Sequence, residues 1–263
     1  MPTGKKPIVL LTNDDGYQAE GLRALAEEFK DFAEVTIVAP SWERSGAAQS
    51  LTLRQPIVCH RIAEKEWAID GTPADCVIVG LHKLLNEPPD LVISGINHGA
   101  NLGENVYYSG TVGAAREAVI HYVPALAVSL CSKKVNSDFG PTARLTRQTA
   151  EMVLREKLPE QVLLNMNVPE NWKGPVKLTR QSKKITRTVL REGEDPRGCS
   201  YFWLSEQRID REKDLDAESD YAAIFAGEAS ITPLHLDPTH AESLNHLSPW
   251  MANLAKGAQF LRD

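Results

Sequence analysis

The chain has 263 residues, 42% of them hydrophobic, and 35 acidic against 29 basic side chains give a net charge of −6. That length suits one large domain, or one domain with an extension, and the apolar fraction fills a core without disulfides or a structural metal. The acidic balance argues against bulk binding to nucleic acid or an anionic membrane, both of which need basic surfaces.

Residues 8–12 read as a buried strand. Leu22, Leu25, Ala26, Phe29 and Phe32 then recur at helical spacing. Residues 35–39 form the next strand, closed by Pro40, and 41–50 are a polar loop of small residues. Residues 51–53, 57–62 and 67–69 read as short strands with turns, suited to antiparallel edges. Thr72-Pro73-Ala74-Asp75 is a helix start, with Thr as N-cap, Pro in the first turn and an acid beside it. Pro88-Pro89 ends that helix. A strand at 91–94 leads into a Gly/Asn-rich loop over 95–108. A helix at 111–121, a strand at 125–130, a helix at 142–157 and a strand at 162–165 follow.

Short apolar strands alternating with helices predict an α/β fold: a Rossmann-like, mostly parallel sheet flanked by helices. After Pro169 the pattern changes. Strand-like pieces at 176–179, 188–190 and 201–204 sit among charged stretches such as 210–220. The expected organisation is a core over 1–168 and a C-terminal extension over 169–263, hairpin or arm in character and partly packed back on the core. Cys59, Cys76, Cys131 and Cys199 lack the spacing of a zinc site or redox pair, which fits a reducing cytoplasm. The apolar run before Asn13 is too short for a signal peptide. Nothing approaches the ~20 apolar residues that span a bilayer.

Four loops carry the chemistry. Asn13-Asp14-Asp15-Gly16 directly follows the first strand. Two carboxylates at the end of a buried strand need compensation, and a hard divalent cation, magnesium or manganese above all, supplies it. Ligands also bind at the carboxyl ends of strands in open α/β sheets. The same tetrapeptide is good turn chemistry, and taken alone it supports both readings. Asn13, beside the acidic pair, is counted with the substrate contacts. In Arg44-Ser45-Gly46-Ala47, Ser45 offers a hydroxyl and Gly46 a closely approachable N–H. Ser94-Gly95-Ile96-Asn97-His98-Gly99-Ala100-Asn101 offers neutral amide oxygens at Asn97 and Asn101. His98 is more often a bystander in such a loop than an acid or base. Ser109-Gly110-Thr111 precedes an Ala-rich helix and is both an N-cap and an anion cradle. Tyr107 and Tyr108 read equally as base-stacking or core residues. There is no Walker A sequence, and Asp14-Asp15 lacks the one-residue gap of aspartyl-phosphate phosphatases. Direct attack by a metal-activated water on a phosphate ester is therefore expected. A sugar-nucleotide-dependent transferase and a non-enzymatic nucleotide sensor are the rival readings.

The ordered set resembles a known family. It comprises Asn13–Gly16, then Arg44–Ala47 with Ser50-Leu51-Thr52-Leu53, then Gly71-Thr72-Pro73-Ala74-Asp75-Cys76. Ser94–Asn97 with Gly99 and Asn101-Leu102-Gly103 follows, and then Tyr108–Val112. Together these look like the SurE (survival protein E) family of 5′/3′-nucleotidases. Ser219-Asp220-Tyr221 and Ser230-Ile231-Thr232-Pro233-Leu234 resemble that family's C-terminal segment. The resemblance implies a divalent metal on Asp14, Asp15, Ser45 and Asn97, with Asp14 and Asp15 catalytic. It implies phosphate contacts from Gly46, Ser109, Gly110 and Thr111; in the expected mechanism Asn101 positions the phosphate or a metal-bound water. It implies hydrolysis of nucleoside monophosphates, with short polyphosphate as a further substrate of some members. A C-terminal arm joining a homodimer or homotetramer is also implied.

Overall fold

The computed structural model describes residues 5–132, 134–183, 185–208 and 216–259. Part of the charged stretch at 210–220, residues 210–215, lies outside them. The first strand, β1 (Ile8–Thr12), sits in the middle of a nine-stranded sheet. Val9, Leu10 and Leu11 are fully buried. A parallel strand covered on both faces has no polar side, so a continuous apolar run is what it requires.

From β1 the chain passes through α1 (Glu20–Phe29) to β2 (Glu34–Pro40). The edge follows: β3 (Cys59–Ala63), antiparallel to β4 (Glu66–Ile69), which is itself parallel to β2. Helix α2 (Pro73–Val79) continues into a π-helical turn at Gly80–Leu84. The chain then crosses to the other side of β1 and lays down β5 (Leu91–His98), α3 (Gly110–Ile120), β6 (Ala125–Cys131), α4 (Gly140–Glu156) and β7 (Val162–Pro169). Strands β4, β2, β1, β5, β6 and β7 are all parallel. The mostly parallel α/β sheet read from the sequence is present. The reversal of strand order falls between β1 and β5, and the carboxyl ends of that pair form the crevice where open α/β sheets take ligands.

Each face of the sheet has its own core. Leu22, Leu25 and Phe29 of α1 pack with Ala143, Ala150 and Val153 of α4 on one side. Val77 of α2 packs with Val112, Ala115 and Ala118 of α3 on the other. Full burial of each large side chain contributes about 1.5–3 kcal/mol. The start of α2 is as the sequence indicated. Thr72 accepts the Asp75 N–H, and the Asp75 carboxylate accepts the Thr72 N–H in return.

Other expectations differ. Residues 51–53 form no strand, because their backbone serves the start of α2 instead. The Thr52 N–H donates to Asp75 Oδ1, and the Ser50 carbonyl accepts the Thr72 hydroxyl. Strand β5 runs past Gly95 to His98, with a register shift between Ser94 and Asn97. The loop that follows holds a 3-10 turn at Gly103–Tyr107.

Beyond β7, β8 (Val176–Leu178) and β11 (Ala229–His235) extend the main sheet. β11 lies antiparallel against β7, and β8 runs parallel to β11. Helix α5 (Asp220–Phe225) precedes β11, and α6 (Ala241–Gln259) follows it. β9 (Thr186–Glu194) and β10 (Ser200–Arg208) make a separate antiparallel hairpin. It exposes Leu190, Phe202, Trp203 and Leu204. Among the described residues, no helix is long and apolar enough to cross a membrane.

Candidate active site

The turn leaving β1 is built by Asn13. Its amide nitrogen donates to the Gly16 carbonyl at 2.9 Å and its oxygen accepts the Gly16 N–H at 3.2 Å. That brace, with the Arg44 N–H on the Asp14 carbonyl at 2.7 Å, presents the two carboxylates to the crevice.

Asp14 is 4% exposed. Its Oδ1 accepts the Thr111 hydroxyl at 2.6 Å, and Gly110 backs directly onto its side chain. The amino end of α3 therefore faces this carboxylate with the positive end of its dipole. Burial still dominates and pushes the Asp14 carboxyl up to about 6, with the Asp15 charge adding to the shift and the Thr111 bond opposing it. Asp15 is also raised, mainly by burial and further by Glu43. Its Oδ2 accepts the His98 N–H at 3.1 Å. Among the described residues, neither carboxylate has an ion-pair partner.

Ser45 lies with Asp15, Glu20, Glu43, His98 and Phe139 around a 340 Å³ cleft, its hydroxyl donating to Glu43 Oε1 at 2.8 Å. Gly46 is open, with nothing within 4 Å of where a side chain would stand. Asn97 is the penultimate residue of β5, and its amide nitrogen donates to the Gly99 carbonyl at 2.8 Å. Ser109 is the N-cap of α3 and accepts the Val112 N–H at 3.1 Å. Asn101 is buried, with its amide nitrogen 2.9 Å from Ser129 Oγ and 3.5 Å from Thr111 Oγ1. Asp14, Gly110, Thr111 and Asn101 thus form one contiguous group, while Ser45 meets Asp15 across the cleft. A larger cavity of 720 Å³ lies at the opposite, amino end of the sheet around Lys5, Pro7, Glu87 and Asp90. None of the four loops reaches it.

The donor set suits a hard divalent cation. Two carboxylates that form no ion pair among the described residues lie near neutral Asn and Ser oxygens. Among the described residues, no group of three His, Cys, Asp or Glu side chains could hold a metal. An ion here would complete its shell with neutral oxygens and water, as magnesium does.

The sequence reading missed Glu20 and Glu43, which add charge to the cleft. It also missed Ser129, Asn165 and Asn167, which hold Asn101 from behind. The available signal was Asn165-x-Asn167, two amides at strand period in an otherwise apolar run.

The loop carrying Ser45 and Gly46 rests on α3. The Ala48 N–H donates to the Tyr108 carbonyl at 3.1 Å, and a methyl added at Gly113 would stand 2.3 Å from the Ala48 oxygen. Gly113→Ala is expected to lift this loop, lowering stability by about 1–3 kcal/mol. Turnover should fall about tenfold or more through misplacement of Ser45 and Gly46. Urea titration and steady-state kinetics check both. Unchanged kinetics would mean that loop position does not matter.

An open α/β sheet with an acidic pair at its switch point, facing the amino end of a helix, defines the class: α/β proteins whose ligand crevice lies at the carboxyl ends of the strands. Within that class the chain belongs to the SurE family, since the model described as Survival protein SurE matches residues 9–188. A relative from Geotalea uraniireducens, named 5′-nucleotidase SurE, is 44% identical over 92% of this chain and 98% of its own length. A protein of the same name from Vibrio campbellii is 44% identical, covering 94% of this chain and 95% of its own. The crystal structure of the SurE protein from Aquifex aeolicus superposes with a TM-score of 0.83 at 36% identity. That match covers 93% of this chain and all of the other.

Proposed function

We propose that the chain is a divalent-metal-dependent phosphomonoesterase that hydrolyses nucleoside 5′-monophosphates to nucleoside and phosphate. The carrying observation is Asp14: a buried carboxylate of raised pKa beside Asp15, with no ion-pair partner among the described residues, at the amino end of α3. The name shared by the relatives supplies the substrate class.

Asp14, Asp15, Ser45 and Asn97 would hold the ion. When bound, magnesium or manganese polarises a phosphoryl oxygen and lowers the pKa of a water. The Thr111 hydroxyl fixes the Asp14 carboxylate by its bond to Oδ1, leaving Oδ2 for the ligand side. The His98 N–H fixes Asp15 through Oδ2, and Asp15 Oδ1 orients the attacking water. Ser109 accepts a helix N–H, so its hydroxyl proton stays available to a phosphate oxygen. With the Gly46 and Gly110 N–H groups and the dipole of α3, it balances charge on the equatorial oxygens. Asn13 holds the turn that presents the pair to the substrate, and Asn101 sets Thr111 from behind.

Nucleoside 3′-monophosphates and short polyphosphate belong in the same proposal as secondary substrates. A homodimer or homotetramer joined through the β9–β10 hairpin would cover its exposed aromatic residues. Four free cysteines suit a cytoplasmic setting.

The test is phosphate release from nucleoside 5′- and 3′-monophosphates, polyphosphate and p-nitrophenyl phosphate with magnesium, manganese or EDTA. The expected result is release that is strongest from 5′-monophosphates and abolished by chelation. Nucleotide binding without release under any metal would sink the hydrolase reading in favour of a sensor.

A further inference from the structure

The loop between β5 and α3 carries Asn101, and much of what holds it comes from far along the chain. Asp220 is fully buried. Its Oδ2 accepts the Gly103 N–H at 2.7 Å, while Oδ1 accepts the N–H groups of Ser182 at 3.2 Å and Tyr221 at 2.8 Å. No ion-pair partner for it occurs among the described residues. A buried carboxylate is tolerated only when hydrogen bonds replace its hydration, and two of these three come from distant segments, at Gly103 and Ser182, while Tyr221 is its chain neighbour. The Gln181 amide nitrogen also donates to the Gly103 carbonyl at 3.1 Å. Leu102, between Asn101 and Gly103, is seated in a small cluster with Ile185 and Tyr221.

From β7, Asn165 and Asn167 donate to the Asn101 carbonyl at 2.8 and 3.0 Å, and Asn167 Oδ1 accepts the Asn101 N–H at 2.8 Å. With its backbone fixed on both sides, Asn101 directs its amide nitrogen to Ser129 Oγ and toward Thr111 Oγ1. A threonine oxygen that faces a donor on one side turns its single proton to the other, and here the hydroxyl donates it to Asp14 Oδ1.

We propose that Asp220 is a positioning residue for the catalytic centre. Through Gly103 it fixes the loop, Asn101 fixes Thr111, and Thr111 fixes the Asp14 carboxylate in the orientation that receives the divalent ion. The inference rests on the metal-dependent reading above. Partners of this kind typically change metal affinity or activity by about 10–100-fold when removed.

Asp220→Asn replaces one acceptor oxygen with an NH2 group and breaks part of the convergence. The expected result is about tenfold weaker Mn2+ binding to the substrate-free protein, read by the paramagnetic resonance of free Mn2+. A comparable fall in kcat should accompany it, with KM for the nucleoside monophosphate little changed. Ser219→Ala is the control. It removes the cap of the same short helix, where Ser219 accepts the Ala222 N–H, without touching Gly103. It should lower the unfolding midpoint yet leave Mn2+ binding and kcat as in the wild type. If Asp220→Asn does not fold, Gln181→Leu tests the same hold on Gly103 more gently and should move the same readouts by a smaller factor. Wild-type Mn2+ affinity in folded Asp220→Asn, or in Gln181→Leu where the first does not fold, overturns the proposal. So does equal loss in Ser219→Ala. Wild-type protein that binds Mn2+ but releases no phosphate would overturn the nucleotidase reading while leaving the positioning test intact.

Discussion

Asp14→Asn is expected to lower turnover by about a thousandfold or more and, in EDTA, to make the protein more stable. Both effects come from the same carboxylate. Burial raises it from 3.8 to about 6. The folded protein therefore holds that proton more tightly than the unfolded chain. Stability falls as pH rises from about 4 to about 6 and stays lower above that range. The gap of about two units corresponds to about 3 kcal/mol at neutral pH. Asparagine keeps an acceptor oxygen for the Thr111 hydroxyl and never ionises, so it avoids the penalty. The unfolding midpoint of the metal-free variant should rise by several degrees at pH 8 and converge with the wild type near pH 4. Saturating Mn2+ should raise the wild-type midpoint and leave the variant unmoved. A variant less stable than wild type at pH 8 in EDTA would show that the carboxylate is compensated without a metal. Asp15→Asn should match the loss of turnover with a smaller gain in stability, because Asp15 is the more exposed of the two.

Gly21→Ala is the second large effect, and its sign is informative. Helix propensity alone would favour alanine by about 1 kcal/mol. The packing opposes it: a methyl at position 21 would stand 2.0 Å from the Ile96 carbonyl oxygen and 2.9 Å from its carbon. The obstacle is backbone in the middle of the sheet, so no side-chain rotation relieves it. Helix α1 cannot retreat either, because Leu22, Leu25 and Phe29 anchor it in the core and the Tyr17 N–H is bonded to the Pro40 carbonyl. A net loss above about 3 kcal/mol is expected in guanidinium titration, with weakened metal binding because Ile96 adjoins Asn97. Stability equal to wild type would mean that α1 sits further from β5.

Much of this architecture was legible in the sequence for identifiable reasons. Val9–Leu11 had to be a central strand because nothing polar interrupts them. Thr72 and Asp75 announced a helix start because capping is local chemistry. The long-range features were not legible. Gly95-Ile96-Asn97 looked like a loop, yet β5 continues through it because β6 supplies partners on the far side of the register shift. Leu51–Leu53 looked like a strand, but the α2 capping residues took up its backbone. Asn165 read as the end of a strand and Asn167 carried no reading, since the partner of both amides lies 64 and 66 positions away. Asp220 stood at the end of a charged stretch and within the family's C-terminal segment, but nothing local showed that its carboxylate reaches Gly103, 117 positions away. Of the site, the acidic pair and the α3 cap could be read from local pattern. The residues that orient them are set by contacts between distant segments.

The antiparallel insertion of β11 between β7 and β8 has a consequence for how the protein is made. β8 leaves the ribosome before β11, yet it reaches the sheet only by pairing with β11. Until residue 235 has emerged, β7 is an open edge with unpaired backbone groups, and β8 has no template. The first six parallel strands can assemble as they are synthesised, but the nascent molecule carries an unprotected border for the whole interval in which residues 170–235 are translated. This border is where chaperone capture or mispairing between neighbouring chains on a polysome would begin.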